Sequence, residues 1–155
     1  MIIGWDKKSA WGIAVSIFML VIVTSCATRQ TLSPHEPGIT SVRVEEDLMR
    51  EINRWRVAQG KSAWPWNEAL ATLAQKYSED MAHRHFFAHR DPDGRNLQER
   101  LWAAGISFHD CVENLARISR RVFTPAEVLA AWLESPAHRD NLLSDTTQAG
   151  IGLFC

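Results

Sequence analysis

Histidine is the side chain in this sequence best able to act near neutral pH as an acid, a base or a metal ligand. His85 and His89 stand four apart, the spacing of a zinc pair on one helix face. Phe86, Phe87 and the turn after them end the helix between the two, and no glutamate occupies the general-base position, so they are not read as joint ligands. His109 and Cys111 are two apart, which on a strand puts thiol and imidazole on one face. A structural disulfide is the better-supported use of that cysteine. His138 stands apart. With Ser135 as N-cap and Pro136 at N1 it falls at N3 of a short helix, where the positive end of the dipole disfavours imidazolium. A neutral imidazole there can ligate a metal or accept a proton, although spacing alone favours the plainer role of a capping or core histidine. No glycine-rich phosphate loop and no G-x-S-x-G elbow is present.

The elements that must position these groups are well punctuated. Val44, Leu48, Ile52 and Trp55 recur on one face of a first helix over about 44–59, closed by Gly60. Asn67 caps a second helix to about Arg84, with Leu70, Ala74, Tyr77 and Met81 as its buried stripe. Asp91-Pro92-Asp93-Gly94 reads as a tight turn. Asn96 to Glu99 forms a capping box for a short helix ending at Gly105, and a strand lies within 106–115. Thr124-Pro125-Ala126-Glu127 starts another helix, which Ser135-Pro136 breaks and restarts. Gly150 to Cys155 reads as a terminal strand.

The N-terminus indicates the compartment. Lys7 and Lys8 precede an uncharged stretch, apolar from Ile13 to Val23, that leads into Ser25-Cys26. This is the grammar of a secretory signal, and Val23-Thr24-Ser25-Cys26 resembles the bacterial lipobox. Residues 1–25 are expected to be a lipoprotein signal peptide, 26–41 a lipidated tether rich in turn residues, and 42–155 one domain. An uncleaved transmembrane anchor is the alternative; with lysines preceding the apolar stretch, both leave the globular part outside the cytoplasm. A formal charge of −1 carries no basic excess, so nucleic acid is not an expected partner. With Cys26 acylated, Cys111 and Cys155 remain as an even pair in an oxidising compartment, and a bridge between them would contribute about 4 kcal/mol in the chain-entropy model.

Three segments then carry a resemblance. Phe86-Phe87-Ala88-His89 with Asp91-Pro92-Asp93-Gly94, then Glu113-Asn114-Leu115-Ala116, then Trp132-Leu133-Glu134-Ser135-Pro136-Ala137-His138-Arg139-Asp140-Asn141-Leu142-Leu143 resemble, in order, the signatures of the CAP superfamily (SCP/Tpx-1/allergen V5). The resemblance implies an α+β fold, a three-layer α-β-α sandwich, with a cleft of two histidines and two acidic residues. His89, Glu113 and His138 match that set, and in some members such a cleft binds zinc or another divalent cation. For the second acid, Glu134 lies beside the expected place and Glu127 a turn and a half earlier. Family members usually continue past Gly-Ile-Gly into another strand, so the sheet is expected to lack one strand, with Leu153 and Phe154 on an open edge. The function implied is a membrane-anchored binding module for a lipid, cell-wall or protein ligand. The alternative is a metal-assisted hydrolase of peptide or ester bonds, with Glu113 as ligand or general base. The absence of a separate nucleophile weighs against the enzyme, and a purely structural envelope protein is the third reading.

Overall fold

The computed structural model describes residues 16–24, 41–118 and 123–154. The chain runs β1 (Ser16–Thr24), α1 (Ser41–Ala58), α2 (Glu68–His83), α3 (Leu97–Ala103), β2 (Asp110–Ile118), α4 (Pro125–Glu134), α5 (Pro136–Leu142) and β3 (Gln148–Phe154). These form one three-stranded sheet, in the order β2-β1-β3, between two helical layers. The expected α+β sandwich is therefore present.

The helices form where their boundary chemistry places them. Asn67 accepts the N–H of Leu70 to cap α2. Asn96 with Glu99, and Thr124 with Glu127, close reciprocal capping boxes at α3 and α4. Past its C-terminus α2 reverses through His85 at φ 57°, and the Phe86 N–H bonds back to the Met81 carbonyl. The reversal drops Phe86 edge-on against Tyr77 and so ends the helix before the His89 loop.

Strand alternation divides the core. From β2, Val112, Ala116 and Ile118 point to the layer of α1, α4 and α5, where Leu48, Ile52, Val128, Trp132 and Leu142 are buried. Cys111 and Leu115 point to the opposite layer, among Leu70, Ala74, Tyr77, Met81 and Leu101. Two glycines let α2 seat directly on β3. A Cβ on Gly150 would lie 2.2 Å from the Ala71 nitrogen, and one on Gly152 2.0 Å from that of Gln75. Those are backbone atoms and cannot step aside, so close helix–sheet packing requires glycine at both positions.

β3 forms one edge of the sheet, so Leu153 lies on an edge strand as expected, but it is not left open there. That residue is buried, and its N–H is shared by the Glu45 and Gln75 side-chain oxygens. The middle of the sheet is occupied by β1, which lies inside the segment expected to be a signal. It pairs in parallel with all of β2, Ser16 opposite Asp110 through Thr24 opposite Ile118, and with β3 from Ile17–Gln148 to Val23–Phe154. Without β1, β2 and β3 share no ladder.

A proline at the midpoint of β1 tests that dependence through the backbone alone. Leu20→Pro in the full-length chain removes an N–H from a central strand and is expected to cost about 3 kcal/mol or more in urea unfolding. Unchanged stability would show that the sheet closes without β1.

Candidate functional site

The site forms at β2, an edge strand of the sheet, because alternation sends its two key residues to opposite faces. Glu113 turns toward α3 and the loop after α2, and Asn114 turns toward α5. Both are buried. Burying a carboxylate is costly unless it is paired, and Glu113 is paired twice. Arg100 Nη2 donates to Oε1 at 2.5 Å, and His89 Nδ1 lies 2.7 Å from Oε2.

Arg100 also fastens the loop that carries His89. Its Nη1 donates to the His89 carbonyl at 2.9 Å, and its guanidinium lies over the Tyr77 ring at 3.4 Å. The Tyr77 hydroxyl donates to the Ala88 carbonyl at 2.7 Å. Burial pushes this phenol up to about 12, so it keeps its proton and remains a donor. The turn after His89 is fixed by Asp91, which accepts the N–H groups of Asp93 and Arg95 and the Arg95 guanidinium. Burial raises the Asp91 carboxyl, but the Arg95 bonds outweigh it and hold the group below its ordinary range.

On the other face, Asn114 donates to the His138 carbonyl at 3.0 Å, and Asn141 donates to the Glu113 carbonyl and to Asn114 Oδ1. α5 is thereby stitched to β2 with His138 at its first turn. Burial and, secondarily, the nearby His89 lower the His138 pKa, so its imidazole is neutral as its helix position predicts.

The structure thus brings the three matched residues to one strand edge. His89 and Glu113 line a cavity of about 370 Å³, and His138 lines one of about 390 Å³ with Arg117, Phe123 and Trp132. Glu127 borders that second cavity, and its carboxylate accepts the Thr124 N–H as part of the α4 cap. Glu134 is exposed at the end of α4 and lines neither cavity. Neither Glu127 nor Glu134 therefore joins Glu113 in its cavity.

A three-residue zinc centre does not fit this donor set. Both Glu113 oxygens are engaged by Arg100 and His89, and among the described residues no group of three or more His, Cys, Asp or Glu side chains is arranged to hold a metal ion. Glu113 instead orients His89 through Nδ1, which leaves Nε2 as the ring's outward nitrogen.

Cys111 is a free cysteine among the described residues, and its expected partner Cys155 lies outside them. Burial, with Asp110 and Glu113 adding to it, pushes the Cys111 thiol up to about 11, which also removes it as a nucleophile. Cys26 too lies outside the described residues.

Arg100, Tyr77 and Asn141 were not singled out as site residues from the sequence. A signal for Arg100 existed: it shares the apolar face of α3 with Leu97 and Leu101, where an unpaired cation would not be tolerated.

Two outcomes follow from this wiring. Arg100→Met leaves the Glu113 charge buried without its guanidinium and is expected to cost about 3–5 kcal/mol, whereas adding Glu113→Leu should recover part of the loss. Urea melts of the single and double variants decide it, and a double variant worse than the single would refute the pairing. His138 sets a pH dependence. Its folded pKa lies below the unfolded value, so the unfolded chain binds the extra proton. Stability is complete above the ordinary histidine range and falls as pH drops through that range toward the lower folded pKa. Melting curves between pH 7 and pH 5 should flatten in His138→Gln; an unaltered slope would assign the effect elsewhere.

A model of the cysteine-rich secretory protein (CAP) family matches residues 49–154. The chain is 31% identical over 128 residues to "Uncharacterized protein YkwD" of Bacillus subtilis (strain 168), covering 81% of this chain and 49% of that protein. It is 34% identical over 110 residues to "Uncharacterized membrane protein YlbC" of the same organism, covering 70% of this chain and 31% of that protein. Its fold matches the crystal structure of an extracellular protein containing a SCP domain from Bacillus anthracis str. Ames, with a TM-score of 0.62 and 27% identity over 77% of this chain and 42% of that one. The chain thus spans about half or less of each of these proteins. With the signature residues gathered at the edge of β2 and the family model covering most of the chain, this protein belongs to the CAP family.

Proposed function

We propose that this chain is an envelope-anchored, extracytoplasmic CAP domain that binds a ligand or partner across the outer edge of β2 and does not turn over a substrate. The observation that carries this reading is the commitment of Glu113. Its two oxygens are used inside the protein, one to neutralise Arg100 and one to orient His89, so it is neither a free base nor an open ligand position. The nearby thiol is held protonated, which removes the other candidate nucleophile. What faces outward is one oriented imidazole, one neutral imidazole, and a cavity walled by half-buried Phe123 over buried Trp132. Such a surface suits a lipid, a cell-wall fragment or a protein segment with an apolar body and a polar group to hydrogen-bond.

Export is supported by the signal grammar ending at Cys26 and by the extracellular character of the similar SCP-domain protein. Attachment through acylation at Cys26 is the reading that the signal grammar supports; among the described residues no helix is long and apolar enough to cross a membrane.

The test has two parts. Full-length protein is assayed against ester and peptide substrates with and without a chelator, and the expected result is no turnover in either condition. Turnover above buffer that is lost in His89→Ala and His138→Ala would overturn the binding-module reading. Separately, Cys26→Ser is expected to abolish palmitate labelling of the chain; equal labelling of the variant would remove the anchor.

A further inference from the structure

A second surface lies away from β2, a groove of about 810 Å³ between α1 and α2, with the outer edge of β3 as its floor. Its apolar surface comes from Met49, Ala71, Ile151 and Trp66. Four carboxylates line it, Glu45 and Glu46 from α1 and Glu68 and Glu79 from α2, against two cations, Arg50 and Lys76. Arg50 is already paired with Asp47, which leaves the groove more acidic than that count suggests. We propose that this groove binds a single-chain organic cation, an alkylammonium whose head sits against Trp66 and the carboxylates and whose chain lies along Met49 and Ile151.

The built features suit that chemistry. Trp66 keeps 37% of its surface exposed, and its indole N–H is held at 2.9 Å by Glu68 Oε2. That bond fixes the ring and holds a carboxylate at its N–H edge, so an ammonium over the ring face meets the ring quadrupole with an anionic group close by. Deeper in the groove, Glu45 Oε1 and Gln75 Oε1 share the Leu153 N–H at 2.7 and 2.9 Å. The floor between these two ends is backbone. Ala149 bonds outward to Pro65 and Asn67, so by strand alternation Ile151 turns its amide the same way, into the groove. An anion would meet four carboxylates, and a neutral alkane would leave them unused. A cation with a chain satisfies both surfaces.

The charge of the groove depends on pH in the range where the ligand does not titrate. Burial first, offset by the Leu153 N–H and reinforced by Glu68 and Glu46, raises Glu45 to about 7. A cation binds the ionised form better, so affinity should rise as pH passes through that value.

Calorimetric titration of the full-length chain tests the assignment with three probes: decyltrimethylammonium below its micelle concentration, decyl sulfate, and choline. Saturable one-site binding is expected for the first only, several-fold tighter at pH 8 than at pH 6. Glu45→Gln should remove the pH dependence, and Trp66→Leu should weaken binding about tenfold, in line with the strength of a partly desolvated cation–π contact. Both substitutions are at non-core positions, and unchanged urea melts would confirm that each variant folds. Equal binding of decyl sulfate, binding of choline as tight as the decyl cation, or undiminished affinity in both variants would each overturn the proposal.

Discussion

A carboxylate buried in an edge strand must be neutralised from outside that strand, and this requirement shapes the site. Glu113 cannot be satisfied by β2 or β1. The sheet uses their backbone groups for its own ladder, and the side chain leaves the plane. The neutralising charge comes from α3, and Arg100 can reach Glu113 only if α3 packs its Leu97–Leu101 face beneath β2. Once there, the same guanidinium lies on Tyr77 of α2 and holds the His89 carbonyl. One ion pair therefore ties α2, α3, β2 and the histidine loop into a single unit. An apolar pair of similar volume could serve packing as well. What it could not do is orient the imidazole, which depends on the second carboxylate oxygen.

β1 illustrates a limit on reading strands from a sequence. A strand flanked on both sides by parallel neighbours and covered by helices on both faces has no polar side, so it reads as a continuous apolar run. A secretory signal is also a continuous apolar run. Phe18 to Val23 satisfies both descriptions, and nothing in its composition separates them. The lysines and Cys26 that mark the signal lie outside the strand in sequence. The two roles are exclusive in any one molecule: in a cleaved, acylated chain β2 and β3 are held by the helices packed on them, α2 on β3 and α3 and α5 on β2, and not by β1.

Much of the remainder was legible because it is local. The helix caps, the stripe of Leu70, Ala74, Tyr77 and Met81, and the break at Ser135-Pro136 are set by residues within a turn of one another, and they stand as expected. The placement of His89, Glu113 and His138 along β2, with the first two lining one cavity and His138 another, was legible only as far as the signature segments name these residues. Their division of labour was not, because it depends on Arg100, which lies in none of those segments.

α2 connects the two surfaces that face solvent. One of its sides meets β3 so closely that Gly150 and Gly152 admit no side chain, and there Gln75 reaches Leu153 beside Glu45 at the α1–α2 groove. Two residues further along, Tyr77 stacks on Arg100 and bonds the loop that carries His89. A helix locked by backbone-to-backbone contact cannot shift by a fraction of an ångström to accommodate strain. Displacement at the groove would have to be absorbed by α1 or by the side chains, while displacement of α2 itself would move Tyr77 and with it the Arg100–Glu113 pair. The glycines of the terminal strand, far from the histidines in sequence, are for that reason part of what holds the His89 imidazole in place.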